Sequence, residues 1–254
     1  MAHALGIDIG GSGIKAAIVD LEAGTLISDR RRLETPQPAT PSAVAGEVRR
    51  LVQPFAWAGL IGATFPAVVQ HGVARTAANV DHSWIGTDVA ATLTEVAGLP
   101  VVVVNDADAA GLAELRHGAA KGISGTVLVL TFGTGIGSAL FTDGVLVPNT
   151  ELGHVELDGH DAEMRAADSA REREGLSWSK WAARVQAYLH HLENLISPDL
   201  FIVGGGASKN ADKWLPKLDL RAPIRVAAFA NNAGIVGAAL IAREAAMADR
   251  PTPM

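Results

Sequence analysis

The chain has 254 residues, enough for one large domain or two modest lobes, and its 48% hydrophobic and 19% charged content excludes a disordered polypeptide. A net charge of −6 argues against a dominant electrostatic grip on nucleic acid or an anionic membrane. The absence of cysteine excludes disulfides, iron–sulfur clusters and cysteine-based zinc sites, and the first residues do not resemble a signal peptide, so a cytoplasmic protein is expected.

In chain order, residues 5–9 form a short apolar run that ends in Gly10, Gly11 and Gly13. Residues 14–19 continue it, and residues 25–32 suggest a third strand. Two apolar runs joined by a glycine-rich turn predict a hairpin rather than a βαβ unit. Arg30, Arg31 and Arg32 make a basic run that reads as a solvated strand end. A proline-rich loop at 36–41 hands over to a helix beginning near Ser42, and residues 60–65 predict a strand closed by Pro66. Val89, Leu93 and Val96 make 87–97 an amphipathic helix ended by Gly98 and Pro100, and the valines of 101–104 a buried strand.

After Asn105 the plan begins again. Residues 126–131 predict a strand, 133–137 a glycine turn and 136–141 the returning strand. Trp178, Trp181, Val185, Leu189, Leu192 and Ile196 mark a helix, which is expected to bury its apolar face in its own core rather than in a dimer contact. A homodimer remains an open partner. Residues 200–203 predict a strand running into Gly204, Gly205 and Gly206, and residues 231–246 an alanine-rich helix. The repetition suggests a duplicated α/β fold of two lobes with a cleft between them. Residues 1–105 are expected to form a small N-terminal lobe, against which the C-terminal helix can pack, and 106–254 a larger C-terminal lobe.

The segment Asp8-Ile9-Gly10-Gly11-Ser12-Gly13-Ile14-Lys15 places a carboxylate at a strand end before a turn whose amides can converge on phosphate oxygens. Asp8 can hold magnesium through water. The same glycines also suit a tight hairpin that needs positive φ. Gly133-Thr134-Gly135-Ile136-Gly137 has the same character, with Thr131 and Thr134 hydroxyls as extra donors; strand–turn–strand flanks set it apart from a dinucleotide fingerprint. Gly204, Gly205 and Gly206 follow a strand and are expected to open a helix, a position suited to anions, although no Walker A ending follows.

Asn105, Asp106 and Asp108 stand at the mouth of the valine strand. A carboxylate there can take a proton from a hydroxyl that attacks phosphorus, and Asn105 can bond a neighbouring sugar hydroxyl; a helix cap is the competing reading. Glu151-Leu152-Gly153-His154 offers a carboxylate and an imidazole to one small polar ligand, while zinc at His154 and His160 lacks supporting spacing.

Together these segments resemble the ROK family of sugar kinases (repressors, open reading frames and kinases), in order along nearly the whole chain. Asp8 to Lys15 is similar to the family's first phosphate loop, Asn105-Asp106 to its catalytic pair, Gly133 to Gly137 to its second phosphate loop, Glu151 to His154 to its ExGH sugar motif, and Gly204 to Ser208 to its nucleotide-proximal loop. The resemblance implies the actin-like, ribonuclease H-like fold, a hexose and a phosphoryl donor as partners, and magnesium as cofactor. It implies that Asp106 deprotonates the sugar 6-hydroxyl, that Asn105, Glu151 and His154 bind ring hydroxyls, and that Asn79 and Glu163 add sugar contacts. The cysteine-rich zinc motif that usually follows ExGH is absent at 157–167, so zinc is not carried over, and no helix–turn–helix segment precedes Asp8. The short chain, with residues 8–15 and Gly159-His160-Asp161-Ala162-Glu163, looks closest to the actinobacterial branch that uses polyphosphate, ATP or both on glucose or mannose. Lys15, Lys121 and Lys209 are candidates for a polyphosphate groove. A strictly ATP-dependent hexokinase and a non-catalytic sugar-binding regulator are the alternatives.

Overall fold

The buried apolar residues of the first hairpin lie in β1 (His3–Ile9) and β2 (Gly13–Asp20), which pair antiparallel with Ile9 opposite Ile14. Gly10 N–H donates to the Gly13 carbonyl at 3.1 Å, closing the glycine turn. A computed structural model describes residues 2–248. The third strand expected at 25–32 is two short ones, β3 (Thr25–Leu26) and β4 (Arg31–Glu34), both paired with β2. Between them Ser28 Oγ accepts from Ile18 N–H at 2.9 Å, so a side chain takes over the ladder bond and the strand breaks.

Helix α1 (Pro41–Val52) begins one residue ahead of the expected start, because Thr40 caps it and Pro41 takes the first position, where its missing N–H costs nothing. The chain continues through β5 (Ile61–Phe65), the small hairpin β6 (Val69–Gln70) and β7 (Val73–Ala74), and α2 (Val89–Ala97), capped by Asp88 and stopped by Gly98 at φ 70°. It then forms β8 (Val101–Asn105) and α3 (Asp106–His117). The second series has β9 (Thr126–Phe132), β10 (Ile136–Thr142), β11 (Val145–Val147), the hairpin β12 (Glu156–Leu157) and β13 (His160–Asp161), and α4 (Ala162–Ala166). It ends in α5 (Asp168–Arg173), α6 (Trp178–Ile196), β14 (Leu200–Gly204), α7 (Ala211–Trp214), β15 (Ile224–Val226) and α8 (Ala233–Ala248). Among the described residues no helix is long and apolar enough to cross a membrane.

Two sheets share one plan. The first runs β3-β2-β1-β5-β8, with β4 also on β2, and the second β11-β10-β9-β14-β15. In each, the first three strands pair antiparallel and the last two join in parallel. The chain divides into two compact units, residues 2–113 with 231–248, and residues 114–230. The division falls inside α3 rather than after residue 105, and α8 groups with the first unit.

The first unit buries Trp84 against Phe65, ring centroids 4.6 Å apart, with the indole N–H donating to the Ala39 carbonyl at 2.8 Å. The second is built around Phe132, Trp181, Trp214 and Tyr188, whose rings meet edge to face. Trp178 stacks edge-on against Trp181 at 5.6 Å, so α6 spends its apolar stripe within its own unit.

Helix α8 lies directly on the first sheet. A Cβ at Gly6 would stand 2.0 Å from the Ile235 carbonyl oxygen and one at Gly62 1.7 Å from that of Ala238; where α8 meets α3, one at Gly237 would stand 1.8 Å from that of Ala109. Backbone meets backbone there, and no side chain can yield. Gly62→Ala is therefore expected to destabilise the protein by at least about 1–3 kcal/mol in urea denaturation, whereas Gly46→Ala, in the exposed interior of α1 where a Cβ meets nothing within 4 Å, is expected to stabilise it by about 0.5–1 kcal/mol.

Candidate active site

Three adjacent parallel strands of the first unit end side by side. Asp8 on β1 stands opposite Thr64 on β5, and Asn105 closes β8 opposite Phe65. Carboxyl ends of parallel strands are where α/β sheets gather ligand-binding groups, because loops depart and helices begin there. Asp8 is fixed from two sides: Thr64 Oγ1 donates to Oδ1 and Lys15 Nζ to Oδ2, both at 2.9 Å. Thr64 Oγ1 in turn accepts from Ile9 N–H at 3.1 Å. Gly234 of α8 approaches so closely that a Cβ there would lie 2.6 Å from Asp8 Oδ1.

The glycine turn that follows is held by its carbonyls. Thr35 Oγ1 donates to Gly10 O at 2.5 Å, Gln37 Nε2 to Gly11 O at 3.4 Å and the Arg32 guanidinium to Ser12 O at 3.1 Å. Gly11 and Ser12 are exposed, and the exposed Asn79 has its carbonyl oxygen 3.4 Å from where a Gly11 Cβ would be. Asp106 is the first residue of α3, half-buried, with Oδ1 accepting from Ala107 N–H at 2.9 Å. Asn105 is 8% exposed and acts as a helix cap: its side-chain oxygen accepts from Ala107 N–H (2.8 Å) and Asp108 N–H (3.2 Å), and its amide donates to Ala67 O at 3.0 Å. The capping alternative thus accounts for the Asn105 contacts.

In the second unit the two remaining glycine segments are neighbours. Gly204 ends β14 opposite Thr131 of β9, and a Cβ on Gly205 would strike Phe132 O at 2.4 Å. The turn at Gly133–Gly135 is braced from α5, where Ser169 N–H donates to Gly133 O at 3.1 Å and Ser169 Oγ to Thr134 O at 2.6 Å. Glu163 Oε2 accepts from Ile136 N–H at 2.7 Å and lies 2.2 Å from where a Cβ on Gly135 would be, so only glycine leaves room for the carboxylate. Glu163, expected as a sugar contact, has this oxygen engaged by the turn. After Gly206 the chain forms a 3₁₀ turn (Gly206–Asn210) and the four-residue α7, not the longer helix expected there, so a helix-dipole anion site is not formed.

Glu151 precedes and His154 ends a 3₁₀ turn, Leu152–His154, locked onto β10. Gly153 passes so close that a Cβ would be 2.2 Å from Ile136 O. Ser138 Oγ donates to Thr150 O and accepts from Leu152 N–H at 3.0 Å, and the buried Tyr188 hydroxyl donates to Leu152 O at 3.1 Å. The hairpin β12–β13 then folds back and places Asp161 Oδ2 2.8 Å from His154 Nδ1, while Asp161 Oδ1 caps α4 through Glu163 N–H at 3.0 Å. Sequence reasoning missed Asp161, Ser138 and Tyr188. For Asp161 a signal existed, since an aspartate before a short helix is a cap; Tyr188 is brought in by tertiary packing alone.

The hydrogen bond that His154 Nδ1–H donates to Asp161, with burial opposing and Glu163, Asp161 and Glu151 adding negative charge, holds His154 above the usual histidine value. Partial burial pushes Glu151 upward, opposed by His154 and reinforced by Glu163; both Glu151 and His154 are solvent-exposed, so water screens these interactions. Because the folded value of His154 is raised, its contacts favour the folded state below about pH 6.5 and fade as pH climbs through the raised midpoint. In an NMR titration, Asp161→Asn is expected to lower the His154 midpoint toward the ordinary value. An unchanged midpoint would mean that the contact does not form in solution.

Comparison with known proteins adds an independent line. Residues 4–168 match the model of the ROK family. The polyphosphate glucokinase of Mycobacterium tuberculosis is 57% identical over 239 residues, covering 94% of this chain and 90% of the relative. The crystal structure of the inorganic polyphosphate/ATP-glucomannokinase of Arthrobacter sp. strain KM is 56% identical, covers 98% of this chain and 100% of that one, and superposes with a TM-score of 0.91. A ROK family glucokinase of Streptomyces griseus, solved with glucose and AMPPNP, is 25% identical at a TM-score of 0.82, covering 95% of this chain and 99% of that one. The twice-used sheet plan is accordingly the actin-like, ribonuclease H-like α/β fold, and the chain belongs to the ROK family.

Proposed function

We propose that this chain is a hexose kinase that transfers a phosphoryl group from inorganic polyphosphate, ATP or both to the 6-hydroxyl of glucose, with mannose as a further acceptor. The observation that carries the reading is the position of Asp106, a half-buried carboxylate on the same strand-end rim of the first sheet as Asp8 and its glycine turn. High identity to a polyphosphate glucokinase and a polyphosphate/ATP-glucomannokinase supports the donor and acceptor classes.

In this reading Asp106 accepts the proton of the sugar 6-hydroxyl as the O6–P bond forms and the bond from phosphorus to the donor's bridging oxygen breaks. The products are a hexose 6-phosphate and a polyphosphate shortened by one unit, or ADP. Glu151 and His154 hold ring hydroxyls, and Asn79 adds a contact. Asn105 and Glu163 set their neighbours through the backbone, so their share in sugar recognition is secondary. The turns at Gly10–Gly13 and Gly133–Gly135, with Lys15, Thr131, Thr134 and Gly204–Gly206, receive phosphoryl oxygens. Magnesium, when bound, neutralises charge on those oxygens. With Lys15 Nζ and Thr64 Oγ1 already on the Asp8 carboxylate, that group suits an ion reached through water rather than direct ligation.

Asp106→Asn is expected to lower kcat on the order of 10²–10⁴-fold while retaining sugar binding, and near-normal turnover would remove the base from the scheme. Glu151→Ala and His154→Ala are expected to raise the KM for glucose. A matrix of ATP and polyphosphate against glucose, mannose, fructose and N-acetylated hexoses decides the specificity. Turnover with ATP alone would eliminate the polymeric donor, and sugar binding without turnover would favour a regulator.

A further inference from the structure

The basic run Arg30-Arg31-Arg32 is not simply a solvated strand end. Arg31 and Arg32 open β4, and α1 brings Arg50 to the same place, so that Arg31, Arg32, Leu33, Arg50 and Leu51 line a hollow of about 210 Å³. The hollow adjoins the first glycine turn: the Arg32 guanidinium donates to Ser12 O at 3.1 Å and would lie 2.8 Å from a Cβ on Gly13. Along the β2–β4 ladder Gly13 faces Glu34, Lys15 faces Arg32 and Ala16 faces Arg31. From Gly13 to the level of Arg31 is three strand residues, about 10 Å. The acids nearby are Asp29, exposed just before Arg30, Glu34, exposed on β4, and Glu47, which holds Arg50 at 2.7 Å. With Arg30 the four arginines outnumber these three acids in a chain whose net charge is −6. Basic residues on an outer strand also deter edge-to-edge pairing, but that purpose calls for neither a hollow nor an arginine supplied by a helix.

We propose that Arg31, Arg32 and Arg50 form a binding track for the distal part of a linear inorganic polyphosphate chain whose reacting end lies at the Gly10–Gly13 turn. Guanidinium groups present forked donors that match phosphate oxygens. A polymeric donor has the length to occupy the turn and the track together, whereas the phosphate chain of ATP ends after three groups in a nucleoside. Lys15, a sequence-based candidate for this task, has its ammonium held on the largely buried Asp8, whereas Arg50, although paired with Glu47, keeps a largely exposed guanidinium with donors to spare. The inference rests on the polyphosphate donor proposed above and adds where its chain runs.

The test is the double variant Arg31→Ala/Arg50→Ala, beside Arg31→Lys/Arg50→Lys, with thermal melting as a check on folding. Steady-state kinetics would use long-chain polyphosphate, tripolyphosphate and ATP at two salt concentrations. The alanine pair is expected to raise KM for the long chain about three- to tenfold at low salt, with kcat held. Parameters for ATP and tripolyphosphate should be unchanged, and the lysine pair should recover most of the loss. An unchanged long-chain KM, or a parallel loss with all three donors, would overturn the track. Should the wild-type protein turn over ATP but no polyphosphate, the donor reading fails on its own. Calorimetric titration of long-chain polyphosphate then judges the track separately: arginine-dependent binding retains it, and none overturns it.

Discussion

Direct contact between the backbone of α8 and the backbone of the first sheet is the constraint on which the first unit depends. Gly6 and Gly62 make it possible, since a methyl group at either would occupy the position of a carbonyl oxygen or overlap it, and Gly237 allows the same close approach of α8 to Ala109 of α3. Interiors are packed to crystal density, so such a contact leaves no room for adjustment. It also carries the C-terminal helix onto the N-terminal sheet, joining residues remote in sequence. Its start brings Gly234 against Asp8, where the absence of a side chain leaves the carboxylate its place. The position of the aspartate that precedes the first glycine turn is therefore set by the last helix as well as by its own strand.

The two units use the same strand–turn–strand device but brace it differently. In the first, side chains of Thr35, Gln37 and Arg32 hold the turn carbonyls, and Lys15 and Thr64 hold the preceding carboxylate. In the second, Ser169 holds the carbonyls and Glu163 takes the Ile136 N–H. A loop fixed before its ligand arrives does not have to be ordered during the reaction, which is the physical advantage of such bracing for phosphoryl transfer. Asn105 and Glu163 illustrate the cost: polar groups that look suited to substrate are committed to backbone partners. The Asp161 carboxylate does two tasks at once, starting α4 and orienting His154.

Much of this was legible in the sequence because it is local. Apolar runs of residues 5–9, 60–65, 101–104 and 126–131 announce strands through side chains alone. Gly10–Gly13 and Gly133–Gly137 announce turns because they permit backbone shapes and close approaches that other residues do not. The order of carboxylates and glycines along the chain was enough to suggest phosphoryl transfer and the family. Errors arose where a side chain displaced a ladder bond, as Ser28 does between β3 and β4, and where a glycine run ended in a 3₁₀ turn instead of a helix.

What the chain order alone determined, then, was the succession of strands, turns and caps and the identity of the groups able to do acid–base chemistry, since those follow from short-range sterics and side-chain type. Only the tertiary structure decided that the Asn105 amide also bonds Ala67 O, that Asp161 meets Nδ1 of His154, that α8 closes the first sheet, and that Arg50 joins Arg31 and Arg32. Each of these depends on a contact between residues whose spacing carries no period, formed when burial of apolar faces brings the elements together.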